Sequence, residues 1–153
     1  MNKYPRSAYI HIPFCHRRCF YCDFAVVPIG DNIDSLNGNK SDTVKDYLTY
    51  LKKEILSIKH KSPLSTIYIG GGTPSILDPI QIAEIIEIFK NNYGIDFGAE
   101  ITMEVDPASF EEDDLREFIK AGINRFSLGA QSFNNQVLRE AGRRHTSEDV
   151  EEA

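Results

Sequence analysis

The chain has 153 residues, a formal net charge of −6, and 41% hydrophobic against 26% charged residues. That balance suits one soluble globular core and offers no positive field to a nucleic-acid partner. No run of eighteen apolar residues exists and the opening MNKYPRSAYI lacks a signal-peptide core, so neither a membrane span nor export is expected. Three cysteines, an odd number, suit a reducing compartment better than a disulfide scaffold, which makes the cytoplasm the expected location.

Short β-rich runs alternate with amphipathic helical runs. SAYIHI (Ser7–Ile12) reads as the first strand, and CHRRCFYC (15–22), which holds every cysteine, follows it as a loop. Residues Ala25 to Asp42 are polar and turn-forming, a long loop expected to be mobile. Tyr47, Leu48, Leu51, Ile55 and Ile58 recur at helical spacing, predicting a helix over Thr43–His60. STIYI (Ser65–Ile69) is a second strand, leading into GGGTPS. Asp78 and Pro79 supply an N-cap and a first-turn proline for a helix with an apolar stripe of Ile82, Ile85, Ile86 and Phe89. EITMEV (Glu100–Val105) is a third strand. Ser109 and Glu112 have capping-box spacing for a helix buried through Leu115, Phe118 and Ile119. NRFSL (Asn124–Leu128) is a fourth strand, Phe133, Val137 and Leu138 mark a short helix, and Thr146 with Asp149 opens another capped one.

Repeated βα units imply a parallel sheet with right-handed crossovers. A complete eight-unit barrel takes about 250 residues, so this length holds about four to five units. The expectation is therefore an α/β fold, either a partial parallel (βα) barrel or an open sheet, with residues 1–153 as the N-terminal part of a longer core domain. Strand parity adds a second expectation. Tyr9 and His11 share a face opposite Ile10 and Ile12; Thr102 and Glu104 oppose Ile101, Met103 and Val105; Arg125, Ser127 and Gln131 oppose Phe126, Leu128 and Ala130. One face is apolar, for helices, and the other polar, as a barrel interior opening at the strands' C-terminal ends would need.

The C-x3-C-x2-C spacing falls just after the first strand, where ligand sites of parallel α/β folds lie. Three soft thiolates on one loop suit zinc or an iron–sulfur cluster. His11 or His16 would complete a Cys3His zinc site, whereas a cubane on three thiolates leaves one iron open. Both remain open on spacing alone, and the zinc reading makes the protein a metal-stabilised α/β binding module. GGGTPS lacks the Lys-Ser/Thr ending of a phosphate-binding P-loop.

YIHIPFCHRRCFYC resembles the cluster-binding loop of radical S-adenosylmethionine (SAM) proteins. GGGTPS (70–75), MEVDP (103–107), GINRFSLGAQSF (122–133) and GRRH (142–145) resemble further signatures of one branch, the coproporphyrinogen III dehydrogenase group. The resemblance implies a [4Fe–4S] cluster on Cys15, Cys19 and Cys22, with SAM chelated to the fourth iron. It implies SAM contacts from Tyr9, Gly71 and Glu104, and contacts to a second SAM from Tyr21, Gly72, Thr73, Gln131 and Arg143. Arg143 would pair with a ligand carboxylate, His11 would be structural, and His16 would be exposed. The branch holds two functions: HemW-type heme chaperones, which bind heme and pass it to acceptor proteins, and dehydrogenases, which decarboxylate coproporphyrinogen III. Either needs an electron donor for the cluster. The dehydrogenase loop carries a fourth cysteine where this chain has Phe24, and a long extension where only fourteen residues precede Cys15. Both differences point to the chaperone. The branch's heme-associated HNxxYW motif would lie beyond residue 153.

Overall fold

The computed structural model describes residues 4–30, 41–58 and 62–153. Its main sheet has four parallel strands: β1 (Ser7–Ile12), β4 (Leu64–Gly71), β5 (Ile95–Val105) and β6 (Arg125–Leu128), paired in that order. The order is monotonic, as in a barrel wall, and does not reverse as in a doubly wound sheet. Two shorter strands, β2 (Phe14–Cys15) and β3 (Val27–Pro28), pair in parallel beside it. The helices are α1 (Asp42–Ser57), α2 (Pro79–Asn92), α3 (Glu112–Ala121), α4 (Asn135–Glu140) and α5 (Ser147–Glu152), with a 3₁₀ turn at Pro74–Ile76.

The expected two-faced sheet is present in β1 and β5, but edge strand β6 departs from it: Leu128, expected on the apolar face, is exposed and lines the cavity at the strand ends. Ile10, Ile12, Ile67, Ile69, Ile101, Met103 and Val105 form one core with Val44, Leu48 and Ile55 of α1, Ile82, Ile85, Ile86 and Phe89 of α2, and Phe118 of α3. Each such buried side chain contributes about 1.5–3 kcal/mol from its area alone. On the opposite face Tyr9 is exposed, while His11 and Glu104 are half-buried. Thr102 departs from the polar-face pattern and is buried. Its hydroxyl donates to Glu100 at 2.9 Å and accepts from Arg125 at 3.2 Å, so its own neighbours cover it.

Local signals explain most boundaries. Ser41 caps α1, accepting from the Val44 N–H at 3.2 Å, so the helix begins one residue before the expected Thr43. Its expected end, His60, lies outside the described residues, and Ile58 follows the helix as an exposed residue. Asp78 and Gln81 close the capping box of α2, each side chain accepting the other's backbone N–H. Three expectations need correction. The cap of α3 is Glu111 paired with Asp114, not Ser109 with Glu112. The Ser109 hydroxyl instead donates to the Asp106 carbonyl at 2.8 Å within a tight turn. Ile119 is 57% exposed, leaving Phe118 as the buried residue of α3. The loop expected over Ala25–Asp42 contains β3, held by the Val27 N–H donating to Pro13 at 2.7 Å; its stretch 31–40 lies outside the described residues.

Ile69 is fully buried at the centre of the sheet, whereas Phe97 is fully exposed. Urea denaturation should therefore show Ile69→Ala costing about 2–5 kcal/mol. Phe97→Ser should stay within about 0.5 kcal/mol of the parent chain.

Candidate functional site

The strand register gathers the site. Ile12 pairs with Gly71, and Val105 with Leu128, so the segments leaving β1, β4, β5 and β6 start from one edge of the sheet. They enclose a cavity of about 360 Å³. Cys15, Cys19, Cys22, Tyr21, Gly71, Gly72, Thr73, Glu104, Gln131 and Arg143 all line it, with Phe24, Asp106 and Gly129. Tyr9 does not line it. Its ring stacks on Tyr68 at 5.9 Å with 21° between planes, and partial burial with the nearby Glu104 carboxylate pushes its phenol up.

Backbone hydrogen bonds hold the cysteine loop to the glycine run. The Gly72 N–H donates to Ile12 and the Thr73 N–H to Phe14, each at 2.8 Å, continuing the β1–β4 pairing into the loops. A Cβ on Gly72 would stand 2.5 Å from the Phe14 oxygen and 2.9 Å from Cys15 Sγ. Only glycine permits that approach. The loop's base is closed by β2–β3 pairing, and its tip docks on the turn after α4. There the Phe20 N–H donates to Ala141 at 3.1 Å and Arg17 to the Arg143 carbonyl at 2.9 Å.

All three cysteines are free and half-buried. Burial, then the Cys22, Cys19 and Asp106 charges, push the Cys15 thiol up, against a 3.5 Å hydrogen bond from Thr73. Among the described residues no group of three or more His, Cys, Asp or Glu side chains is drawn tightly enough together to hold a metal ion as it stands. The donor set nevertheless fits a thiolate-bound cation. Three soft donors line one cavity, and their mutual repulsion falls when a positive centre joins them. His11 is committed elsewhere, Nε2 lying 2.9 Å from the Ala25 carbonyl and Nδ1 3.3 Å from Tyr9, as a structural residue would be. His16 is half-buried at the cavity wall, a correction to its expected exposure.

Glu104 lies along the glycine run, one oxygen accepting from Tyr68 at 2.8 Å and the other from the Gly71 N–H at 3.1 Å. A carboxylate has about four lone-pair sites, so acceptor capacity remains on the cavity side. Gln131 is the one non-glycine residue with positive φ among the described residues, at 62°. Such strain collects at functional sites.

Arg143 is engaged within the protein: Nη2 pairs with Asp106 and donates to the Gly129 carbonyl at 3.1 Å, and Nη1 donates to Cys19 Sγ at 3.6 Å, while its buried Nε has no hydrogen-bond partner among the described residues. Burial alone would lower its pKa, but Asp106, Tyr21 and Cys19 outweigh it and hold the guanidinium charged. Burial also raises the Tyr21 phenol, with Arg143 opposing and Cys19 adding. Asp106 and His145 are functional candidates that sequence reasoning missed, although both sit in the quoted MEVDP and GRRH stretches.

The family model described as "Radical SAM superfamily" matches residues 9–153. The chain is 41% identical over 97% of its length to "Heme chaperone HemW" of Synechocystis sp., covering 35% of that protein. It is 36% identical over 95% of its length to "Oxygen-independent coproporphyrinogen III oxidase" of Escherichia coli, covering 31% of it. A solved structure of coproporphyrinogen III oxidase (HemN) from Escherichia coli, described as a radical SAM enzyme, superimposes with a TM-score of 0.76. That match has 33% identity over 94% of this chain and 32% of the other. The chain thus spans about a third of the length of the curated relatives it matches. The parallel sheet is accordingly part of a barrel of the radical SAM type.

Gly72→Ala should expose the tightness of this site. Overpacking against Phe14 and Cys15 is expected to cost about 1–3 kcal/mol. A urea midpoint unchanged from the parent would contradict the close approach.

Proposed function

The chain belongs to the radical SAM superfamily, and on that premise we propose that it is the cluster- and SAM-binding part of a HemW-like heme chaperone. In this reading Cys15, Cys19 and Cys22 hold a [4Fe–4S] cluster. A cluster so held supplies one-electron chemistry to a chelated SAM. The chain's own residues bind and orient. Gly71 and Glu104 contact the chelated SAM, Glu104 accepting from its hydroxyl or ammonium groups, with Tyr9, stacked on Tyr68 outside the cavity lining, as the third residue of that set. Tyr21, Gly72, Thr73, Gln131 and Arg143 line the part of the cavity that would take a second SAM. Heme, an electron donor and a heme-acceptor protein are the partners, in a reducing, cytoplasmic setting; among the described residues no helix is long and apolar enough to cross a membrane.

The observation that carries this reading is the gathering of all three cysteines with the glycine run and Glu104 around one cavity at the strand ends. Phe24 favours the chaperone over the dehydrogenase: the cavity wall carries a 63%-exposed ring where the dehydrogenase loop carries a fourth cysteine. The superposition on coproporphyrinogen III oxidase keeps the dehydrogenase as the second reading.

Anaerobic reconstitution should give four irons and four sulfides per chain, and Cys15→Ala, Cys19→Ala or Cys22→Ala should each abolish them. Full iron and sulfide in any of these variants would refute the ligand assignment. Glu104→Ala should retain the cluster yet bind SAM at least tenfold more weakly, since a hydrogen bond to a charged group contributes about 1.5–3 kcal/mol. With reductant, SAM and coproporphyrinogen III, the loaded protein should give no decarboxylated porphyrin by mass, yet pass bound heme to an apo-acceptor. Decarboxylated product would make it a dehydrogenase.

A further inference from the structure

Asp106 and His145 are outside the proposed cluster ligands and SAM contacts, yet both are shielded at the cavity's edge. Their side chains are 22% and 0% exposed, and that of Arg143 between them is 11% exposed. Gly142, at φ 77°, delivers this arginine. It closes α4 by donating to Arg139 at 3.0 Å, while the Arg143 N–H donates to Leu138 at 2.8 Å, so the chain reverses in a Schellman turn and Arg143 faces the cysteine loop. Phe20 lies over that turn, where a Cβ on Gly142 would meet its ring at 3.2 Å.

One arm of the guanidinium is then fully engaged. Nη2 meets the Asp106 carboxylate, the Gly129 carbonyl and, at 3.3 Å, Nδ1 of His145. The other ring nitrogen of His145, Nε2, lies 2.9 Å from the Ala130 carbonyl, which can only accept. Nε2 therefore carries the proton, and Nδ1 presents its lone pair to Arg143. Asp106 is itself held, its N–H donating to Ser75 at 3.2 Å. With the two N–H groups of Nη2 shared among these three acceptors, Nη1 is aimed at Cys19 Sγ. Arginine alone has the planar fork that allows one nitrogen to be anchored while another donates.

We propose that Asp106 and His145 are positioning residues that fix the Arg143 guanidinium against Cys19, so that a cluster bound there has a higher reduction potential than its three thiolates alone would set. This rests on the cluster reading above. An N–H donor and a positive charge at a ligating sulfur favour the reduced cluster, which carries the extra electron. The same geometry gives Arg143 a role toward the cysteine.

The test is the midpoint potential of the reconstituted chain, titrated with dithionite without SAM, with iron and sulfide measured on the same sample. Arg143→Met should lower the potential enough to change the oxidised-to-reduced ratio about tenfold, about 59 mV for one electron. Arg143→Lys keeps the charge for Asp106 but lacks the second arm, and should shift in the same direction. His145→Leu should also shift downward, and His145→Gln, able to donate to Ala130 and accept from Arg143, should restore the parent value. A parent potential in the lysine variant at full iron and sulfide overturns the inference, and suffices where the methionine or leucine variant fails to fold. A parent chain without four irons and four sulfides overturns the cluster reading, and this inference with it.

Discussion

The parallel register of β1, β4, β5 and β6 is the constraint on which the rest depends. Because Ile12 stands beside Gly71 and Val105 beside Leu128, the chain leaves all four strands at one level. Everything chemically distinctive lies within a few residues of that level: the cysteine loop after Ile12, the glycine run at Gly71, Asp106 after Val105, and the Gly129–Gln131 turn after Leu128. A slip of one residue would send each side chain to the opposite face. Glu104 would then face the helices. The isoleucine-rich core thus fixes register first, and register brings the polar groups together.

Within the site, backbone sets the positions and side chains set the charge. The Gly72 and Thr73 N–H groups tie the glycine run to Ile12 and Phe14, and the Phe20 N–H ties the cysteine loop to Ala141. These bonds cross between segments far apart in sequence, so three loops behave as one wall. Thiols brought together in this way repel once ionised, and Arg143, whose own burial is offset by Asp106, brings its charge to one of them, Cys19. Removing Asp106 would leave a charged guanidinium short of its partner in a poorly solvated place, a costly state.

Period-two alternation made the two faces of β1 and the C-terminal half of β5 legible, since apolar and polar positions separate cleanly there. The caps of α2 and α5 were legible because Asp78–Gln81 and Thr146–Asp149 close onto their own backbone. Ser109 had the same spacing and misled, because a competing turn from Asp106 takes its hydroxyl. The first half of β5, Ile95–Ala99, is interrupted by Gly98 at φ 79° and joins β4 through a register shift, so no alternation betrays it. The three-cysteine loop announced a soft-ligand site by composition alone. The link from Asp106 to Arg143 spans 37 residues and obeys no local rule; it exists because β5 and the turn after α4 end at the same place.

That convergence gives Asp106 a place in the wall beyond its charge. Its N–H reaches Ser75 beyond the glycine run, its carbonyl takes the Ser109 hydroxyl, and its carboxylate takes Arg143. One residue therefore joins the segment after β4, the segment after β5 and the turn after α4. Cys19 meets this node through Arg143, 124 positions later in the chain. The field at a cysteine of the first loop is consequently set by the third and fourth βα units, and it is complete only when those units have docked. A barrel wall assembled in chain order would bring the thiols together before their cation arrives, so the last elements to pack are the ones that finish the electrostatics of the first.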